Sequence, residues 1–380
     1  MSWPSEMLGD LVDIKGGGTP SKSMPEYWGG TIPWASVKDF KSGILERTED
    51  CITELAVRGS STNVIPAGSI IVPTRMALGK VAINKVDMAI NQDLKALQIR
   101  DESKLLVRYL FRFLESKAQF LEEQGKGATV KGITLNVLRD LEIPLPPLAE
   151  QKRIAAILDK ADAIRRKRQQ AIQLADDFLR AVFLDMFGDP VTNPKGWSTL
   201  RIDDLCTVVR GSSPRPQGDP RFYGGPVPRL MVADLTRDGK LVTPQIDSLT
   251  EEGAKKSRPI EAGTVVMAVS GNVGLTSVLA IDACIHDGFI AFKMLDANQV
   301  RPEFFCELMM FLKSTHASRQ AGAIFQNLTT SQIKEMEIPV PPLELQDKFL
   351  SINRKAADSC VEDGGELFES LSQKAFSGRL

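Results

Sequence analysis

A chain of 380 residues, 43% hydrophobic and 25% charged, has the composition of an ordinary globular protein of two or three domains. Its formal net charge of −1 advertises no nucleic-acid binding, so any DNA contact must rest on locally concentrated basic groups or on partner subunits. Five cysteines without paired spacing fit a reducing cytosol, the two histidines (His286 and His316) argue against a zinc site, and neither a signal peptide nor an apolar run long enough to span a bilayer is apparent.

The first part of the chain reads as an α+β domain. Short β-branched runs bounded by Gly and Pro, such as Gly68 to Thr74, predict strands. Ser103 to Gln124, apolar at 105, 106, 109, 110, 113, 114, 120 and 121, predicts a helix with one buried face. The segment EIPLPPLAEQKR (Glu142 to Arg153) then opens a long charged run ending at Gly188. Pro146 and Pro147 suit a helix start and Gly188 a left-handed cap. Ile154, Ile157, Ala161, Ile164, Arg168, Ala171, Ala175, Phe178 and Val182 step by threes and fours, the period of a helix–helix seam. From Leu148 to Met186 such a helix would be about 58 Å long. Asp189 to Trp197, rich in Pro, Asn and Gly, reads as a linker.

The remainder repeats this order. EIPVPPLELQDK begins at Glu337, 195 positions after Glu142. Leu8 to Pro20 matches Ile202 to Pro214, Tyr27 to Trp34 matches Phe222 to Arg229, Ile65 to Ile71 matches Ile260 to Val266, and Ile90 to Leu97 matches Ile285 to Phe292. A register held over so many blocks signals duplication. A second seam follows: Leu345, Phe349, Ile352, Ala356, Cys360, Leu367, Leu371 and Ala375. Two long helices that each need a partner can satisfy one another in an antiparallel coiled coil. Gly364 and Gly365 fall inside the second helix and predict two pieces, Leu367 to Phe376 packing on the start of the first.

Three stretches invite chemistry. KGGGTPSKS (Lys15 to Ser23) lacks the Gly before Lys of a phosphate loop. Asp87, Asp93 and Lys95 faintly resemble a metal-dependent nuclease set, but Gly288 and Ile290 replace Asp93 and Lys95 in the second half. Arg165 to Arg168 is the densest basic run, open to three readings: a solvated face, phosphate contact or subunit docking. If DNA is the partner, base-reading candidates belong on loops that differ between the halves. These are Lys15, Lys22, Lys38, Arg75, Lys80, Lys126 and Lys131 in the first, and Arg210, Arg215, Arg229, Ser270, Asn272, Gln326 and Asn327 in the second. Arg suits guanine, and Asn or Gln suits adenine.

The tandem E-I-P-x-P-P-L segments, the FGDP turn at Phe187 to Pro190, the INQDLKAL block and the ending QKAFSGRL make the chain resemble the specificity subunit of type I restriction-modification systems. The resemblance implies an α+β fold of two tandem, pseudo-twofold-related target-recognition domains (1–146 and 189–341). Two spacer helices (147–188 and 342–380) would separate them and form the antiparallel coiled coil. It implies a non-catalytic, cytoplasmic subunit that binds a bipartite, asymmetric double-stranded DNA target. Two modification (methyltransferase) subunits and restriction/translocase subunits would be its partners. S-adenosylmethionine, ATP and magnesium would sit on those partners, with no cofactor on this chain and no membrane contact. The alternatives are a stand-alone nuclease or methyltransferase-like enzyme, disfavoured by the missing motifs, and a coiled-coil scaffold without sequence specificity, which leaves the elaborated loops unexplained.

Overall fold

The computed structural model describes residues 3–127, 130–318, 329–358 and 364–379. It divides into two compact units: Met1–Gln170 with Glu362–Leu380, and Ala171–Val361. The divisions fall within the two spacer segments, so each unit takes part of both spacers as well as one recognition domain.

In the first unit a five-stranded sheet has the order Val12–Gly16, Leu94–Ile99, Ile70–Pro73, Ala82–Asn84, Ile44–Leu45. All its pairings are antiparallel except the last. A four-stranded sheet has the order Asp50–Ile52, Trp28–Ala35, Met88–Ile90, Val64–Ile65, its middle pair parallel. A two-stranded ribbon joins Ser5–Met7 to Glu142–Pro144.

The second unit repeats this plan strand for strand. Its larger sheet runs Thr207–Arg210, Phe289–Lys293, Val265–Ala268, Thr276–Leu279, Leu241–Val242. Its smaller sheet runs Asp247–Leu249, Tyr223–Leu230, Ala283–Ile285, Arg258–Ile260, and its ribbon pairs Thr199–Arg201 with Glu337–Pro339. The parallel pairings recur at the equivalent places. Identical strand order in both units is the structural form of the duplication read from the sequence.

The helices that pack on these sheets and form the spacers are α1 (Val107–Ser116), α2 (Leu148–Phe187), α3 (Pro302–Ser318), α4 (Leu343–Asp358) and α5 (Gly364–Phe376). The helix expected over Ser103 to Gln124 begins later and is broken in two, Val107–Ser116 and Ala118–Glu123, because Ser103 closes a turn on Asp101 and the backbone leaves helical geometry at Lys117. Gly188 ends α2 in the left-handed conformation, φ +77°, its N–H donating to the Leu184 carbonyl. The 189–197 stretch is a folded turn in which Asn193 bonds both the N–H and the carbonyl of Trp197.

The first unit's core joins Tyr109, Phe111 and Phe113 of α1 to the sheet residues Ile70, Val72 and Leu97, to Ile154 and Leu158 of α2, and to Ala375 of α5. Phe368 of α5 lies under the Arg165 guanidinium at 4.8 Å, while Ala375 is buried in the core with Ile154 and Leu158. Ascending α5 therefore descends α2, and the pair is antiparallel here. In the second unit Phe183 stacks on Phe311 at 4.0 Å and meets Phe349 of α4 edge-on at 5.4 Å, with Phe187 beside them.

The buried face of α2 differs from the expected seam. Ile154 is buried and Ile157, Ala161, Ala175 and Val182 are half-buried, but Ile164 (40%), Ala171 and Phe178 (54%) are exposed. The residues that enter the cores are Gln151, Ile154, Ala155, Leu158 and Asp162 in the first unit and Leu179, Phe183 and Phe187 in the second. Near each end α2 packs against a β-sheet domain as well as a helix, so its buried face follows the 3.6-residue period of a straight helix. On the C-terminal side Phe349 is buried and Leu345, Ile352, Ala356 and Leu371 are half-buried. Cys360 and the Leu367 side chain lie outside the described residues, as does the stretch between α4 and α5. Gly364 and Gly365 are the first described residues of α5, directly after that stretch.

Candidate nucleic-acid interface

In each unit one tight turn gathers the candidate residues. In the first it is Asn91–Asp93, where the Asn91 side-chain oxygen accepts the Asp93 N–H at 3.1 Å. The Asp93 carbonyl accepts the Thr74 N–H at 2.8 Å, which fixes the loop after strand Ile70–Pro73. Arg75 comes next, 3.6 Å from the Asp93 carboxylate and largely exposed. A second loop closes on it: Lys126 and Gly132 exchange N–H···O bonds of 2.9 and 3.0 Å, Ile133 N–H donates to Thr74, and Met76 N–H donates to the Lys131 carbonyl. Arg75, Lys126 and Lys131 thus belong to one basic loop cluster. Lys95 sits beside the turn with its ammonium on the Gln92 and Leu94 carbonyls, and burial pushes its pKa down while Asp93 holds it up.

The second unit builds the same turn at His286–Gly288. His286 Nδ1 accepts the Gly288 N–H at 2.9 Å, in the place of Asn91, and the Gly288 carbonyl accepts the Val269 N–H at 2.8 Å. Around it the chemistry differs. Ser213 donates to the Asp287 carboxylate at 2.6 Å, Arg210 Nε donates to the Asp287 carbonyl at 3.0 Å, and Arg215 reaches Asp287 at 4.0 Å. Ser270 Oγ lies against Gly288. Asn272 is tied to Lys313 through its side-chain oxygen. Ser213 and Asp287 escaped the sequence reading, although both differ from their counterparts in the first half.

Other candidates lie elsewhere. Lys22 and Lys38 are exposed in a loop and a short helical turn, and Lys80 caps the Phe40 carbonyl at 3.2 Å. Lys15 lies within strand Val12–Gly16 and Arg210 ends strand Thr207–Arg210, so neither occupies a loop. Gln326 and Asn327 lie outside the described residues. Arg229 is not presented for reading: it is 5% exposed, ion-paired with Asp247, and donates to Ser213 at 3.2 Å. Its place near the inward-turned end of strand Tyr223–Leu230 makes it a support for the turn.

The competing chemical readings find structural explanations. Asp87 accepts the Ala67 N–H at 2.8 Å, and Asp282 accepts the Ala262 N–H at the same distance, so this carboxylate holds a turn in both units instead of pairing with Asp93. A Cβ on Gly17 would fall 1.9 Å from the Ile90 carbonyl oxygen, and one on Gly211 would fall 2.1 Å from that of His286. These glycines permit close backbone approach to the turn strand, not a phosphate cradle. Arg165 and Arg166 both pair with the buried Asp162, at 2.7 and 2.8 Å.

Fold and loops together define a duplicated recognition protein: two copies of one scaffold, each dressing the same turn with its own polar and basic groups. The family described as the type I restriction modification DNA specificity domain matches residues 2–174 and 194–354. The MjaIX type I specificity subunit of Methanocaldococcus jannaschii is 27% identical over 377 residues, covering 92% of this chain and 85% of that protein. The EcoR124I/EcoR124II specificity subunit of Escherichia coli is 40% identical over 164 residues, 41% of this chain and 40% of its own length. The crystal structure of a type I S subunit from M. genitalium superposes with a TM-score of 0.58 at 17% identity, covering 99% of this chain and 96% of the other. The chain belongs to the type I restriction-modification DNA specificity family, with two copies of its domain. It is a specificity subunit, a component for target recognition rather than catalysis.

Proposed function

We propose that this chain reads a split, asymmetric double-stranded DNA target, one half per unit. It would do so in a complex with two modification subunits and with restriction/translocase subunits, in the cytoplasm. The observation that carries this reading is the pair of equivalent turns, Asn91–Asp93 and His286–Gly288: one framework, two sets of side chains. Arg75 in one unit has Ser270 as its counterpart in the other, and Asn272 stands where the first unit has Ala77, so the two half-sites should differ. Exposed Ile172, Leu174 and Phe178 on α2 supply apolar surface for docking a modification subunit. S-adenosylmethionine, ATP and magnesium would be bound by the partners. The test is co-expression with a type I modification subunit, then methylome sequencing. A single motif with two dissimilar halves around an unread gap is expected. A palindromic motif, or no sequence-dependent methylation, would overturn it.

A further inference from the structure

Met76, next to Arg75, has a left-handed backbone with φ +70°, and its counterpart 195 positions on, Gly271, has φ +71°. The loops agree around them: each is fixed by a 2.8 Å bond to the equivalent turn carbonyl, and each ends on a glycine with φ +80°, Gly79 or Gly274. The loop therefore demands a left-handed residue at this place. Side chains bearing a Cβ disfavour that conformation and glycine does not. The second unit uses glycine, whereas the first holds a methionine whose side chain is not buried in return: it is 68% exposed.

Two other non-glycine residues among those described share the conformation, Asn193 and Met294. Asn193 is explained by its bonds to Trp197. Met294 comes after strand Phe289–Lys293, at the far end from the His286–Gly288 turn. Only Met76 stands in a recognition loop, pinned through its N–H to Lys131 and flanked by Arg75, Lys126 and Lys131. Strain retained at an exposed apolar residue inside a cationic cluster indicates a ligand that is anionic overall yet offers an apolar point. Duplex DNA does so in its major groove, where the thymine 5-methyl group is the apolar feature of the base edges. An unbranched thioether adapts readily to such a contact.

We propose that Met76 is a specificity-determining residue of the first unit, packing its side chain against a thymine methyl group in the first half-site. The proposal rests on the reading that this unit binds DNA. The test uses the complex with its modification subunits, the target duplex defined by its methylome, and a set of duplexes in which each first-half thymine is replaced by uracil. Wild type should lose about three- to tenfold in affinity at one replaced position. Met76→Gly should bind the intact target more weakly by a similar factor and ignore that replacement. Met76→Leu should stay sensitive. Met76→Gly should also unfold at a temperature no lower than wild type, because glycine suits the backbone, which separates lost recognition from lost folding.

Indifference of wild type to every uracil replacement, a first half-site without thymine on either strand, or Met76→Gly binding as tightly as wild type would overturn the proposal. Base unstacking reported by 2-aminopurine that persists in uracil duplexes would show an inserted wedge and also overturn the methyl contact. Failure of wild type to prefer its target over a scrambled duplex would instead remove the DNA-reading premise.

Discussion

Gln151 and Gln346 stand 195 positions apart and make the same three hydrogen bonds. Gln151 accepts the Leu106 N–H at 3.0 Å and donates to the carbonyls of Lys104 (2.8 Å) and Pro146 (3.0 Å). Gln346 accepts the Arg301 N–H at 2.9 Å and donates to Gln299 (2.9 Å) and Pro341 (2.7 Å). Both are fully buried. Each stitches the start of a spacer helix, α2 or α4, to the segment leading into a domain helix, α1 or α3, which accounts for the repeated P-P-L-x-x-Q. Gln151→Leu and Gln346→Leu should each cost about 1–3 kcal/mol, because three backbone groups lose their partner. The double variant should be near additive, since the two sites share no partner. Denaturant unfolding measures this, and a single variant within about 0.5 kcal/mol of wild type would contradict it.

A buried ion network locks α1 to α2. Arg112, 2% exposed, reaches Asp159 at 2.7 Å, Asp162 at 3.2 Å and Glu115 at 2.5 Å. Removing one partner strands buried charge, so Asp162→Ala should destabilise the first unit by about 3–5 kcal/mol. Burial pushes the Asp159 and Asp162 carboxyls up, but the arginines outweigh it and hold both below the usual carboxylate range. Their contribution is therefore present above about pH 4 and is lost as pH falls through the lowered native values. Glu115 runs the other way, raised by burial that Arg112 only partly offsets. Asp162→Asn should start less stable at neutral pH and lose less between about pH 5 and 2 than wild type. Parallel acid-unfolding profiles would contradict this.

The His286 turn predicts a pH dependence confined to the second unit. Burial first, then the Arg229 charge, pushes the His286 pKa down. Its neutral Nδ1 accepts the Gly288 N–H, an acceptor that protonation removes. The turn's stability is thus complete above the ordinary histidine value near 6.5 and declines as pH falls below it. His286→Asn installs the residue that holds the equivalent turn, Asn91, and should keep the fold while abolishing that decline. Amide exchange at Gly288 and Val269 between about pH 7.5 and 5 measures it; equal pH sensitivity in variant and wild type would count against the turn's role.

Much of this architecture was legible because the chain is written twice. The offset of 195 aligned the strands, the glycines at close approaches and the Pro-Pro helix starts, so two tandem α+β domains emerged from sequence alone. The seam of α2 was less legible. Apolar residues spaced by threes and fours include both Ile154, which is buried, and Phe178, which is exposed. Which face turns inward depends on sheet and helix partners distant in sequence. The exposed loop position of Arg75 was legible, and the burial of Arg229 against Asp247 was not, since nothing in its neighbours announces it. Asp87 could have been excluded as a metal ligand from sequence, since Asp282 repeats it where the rest of the supposed nuclease set is missing.

The claim that each unit reads its own half of the target is tested most directly at Arg75. Its guanidinium is exposed, and its ion pair with Asp93 is long, so Arg75→Ala should fold and assemble normally. Methylome sequencing of the variant complex should show one position relaxed in one half-site, a discrimination loss of about 1–3 kcal/mol, and the other half-site unchanged. An unaltered motif, or equal weakening of both halves, would contradict the account.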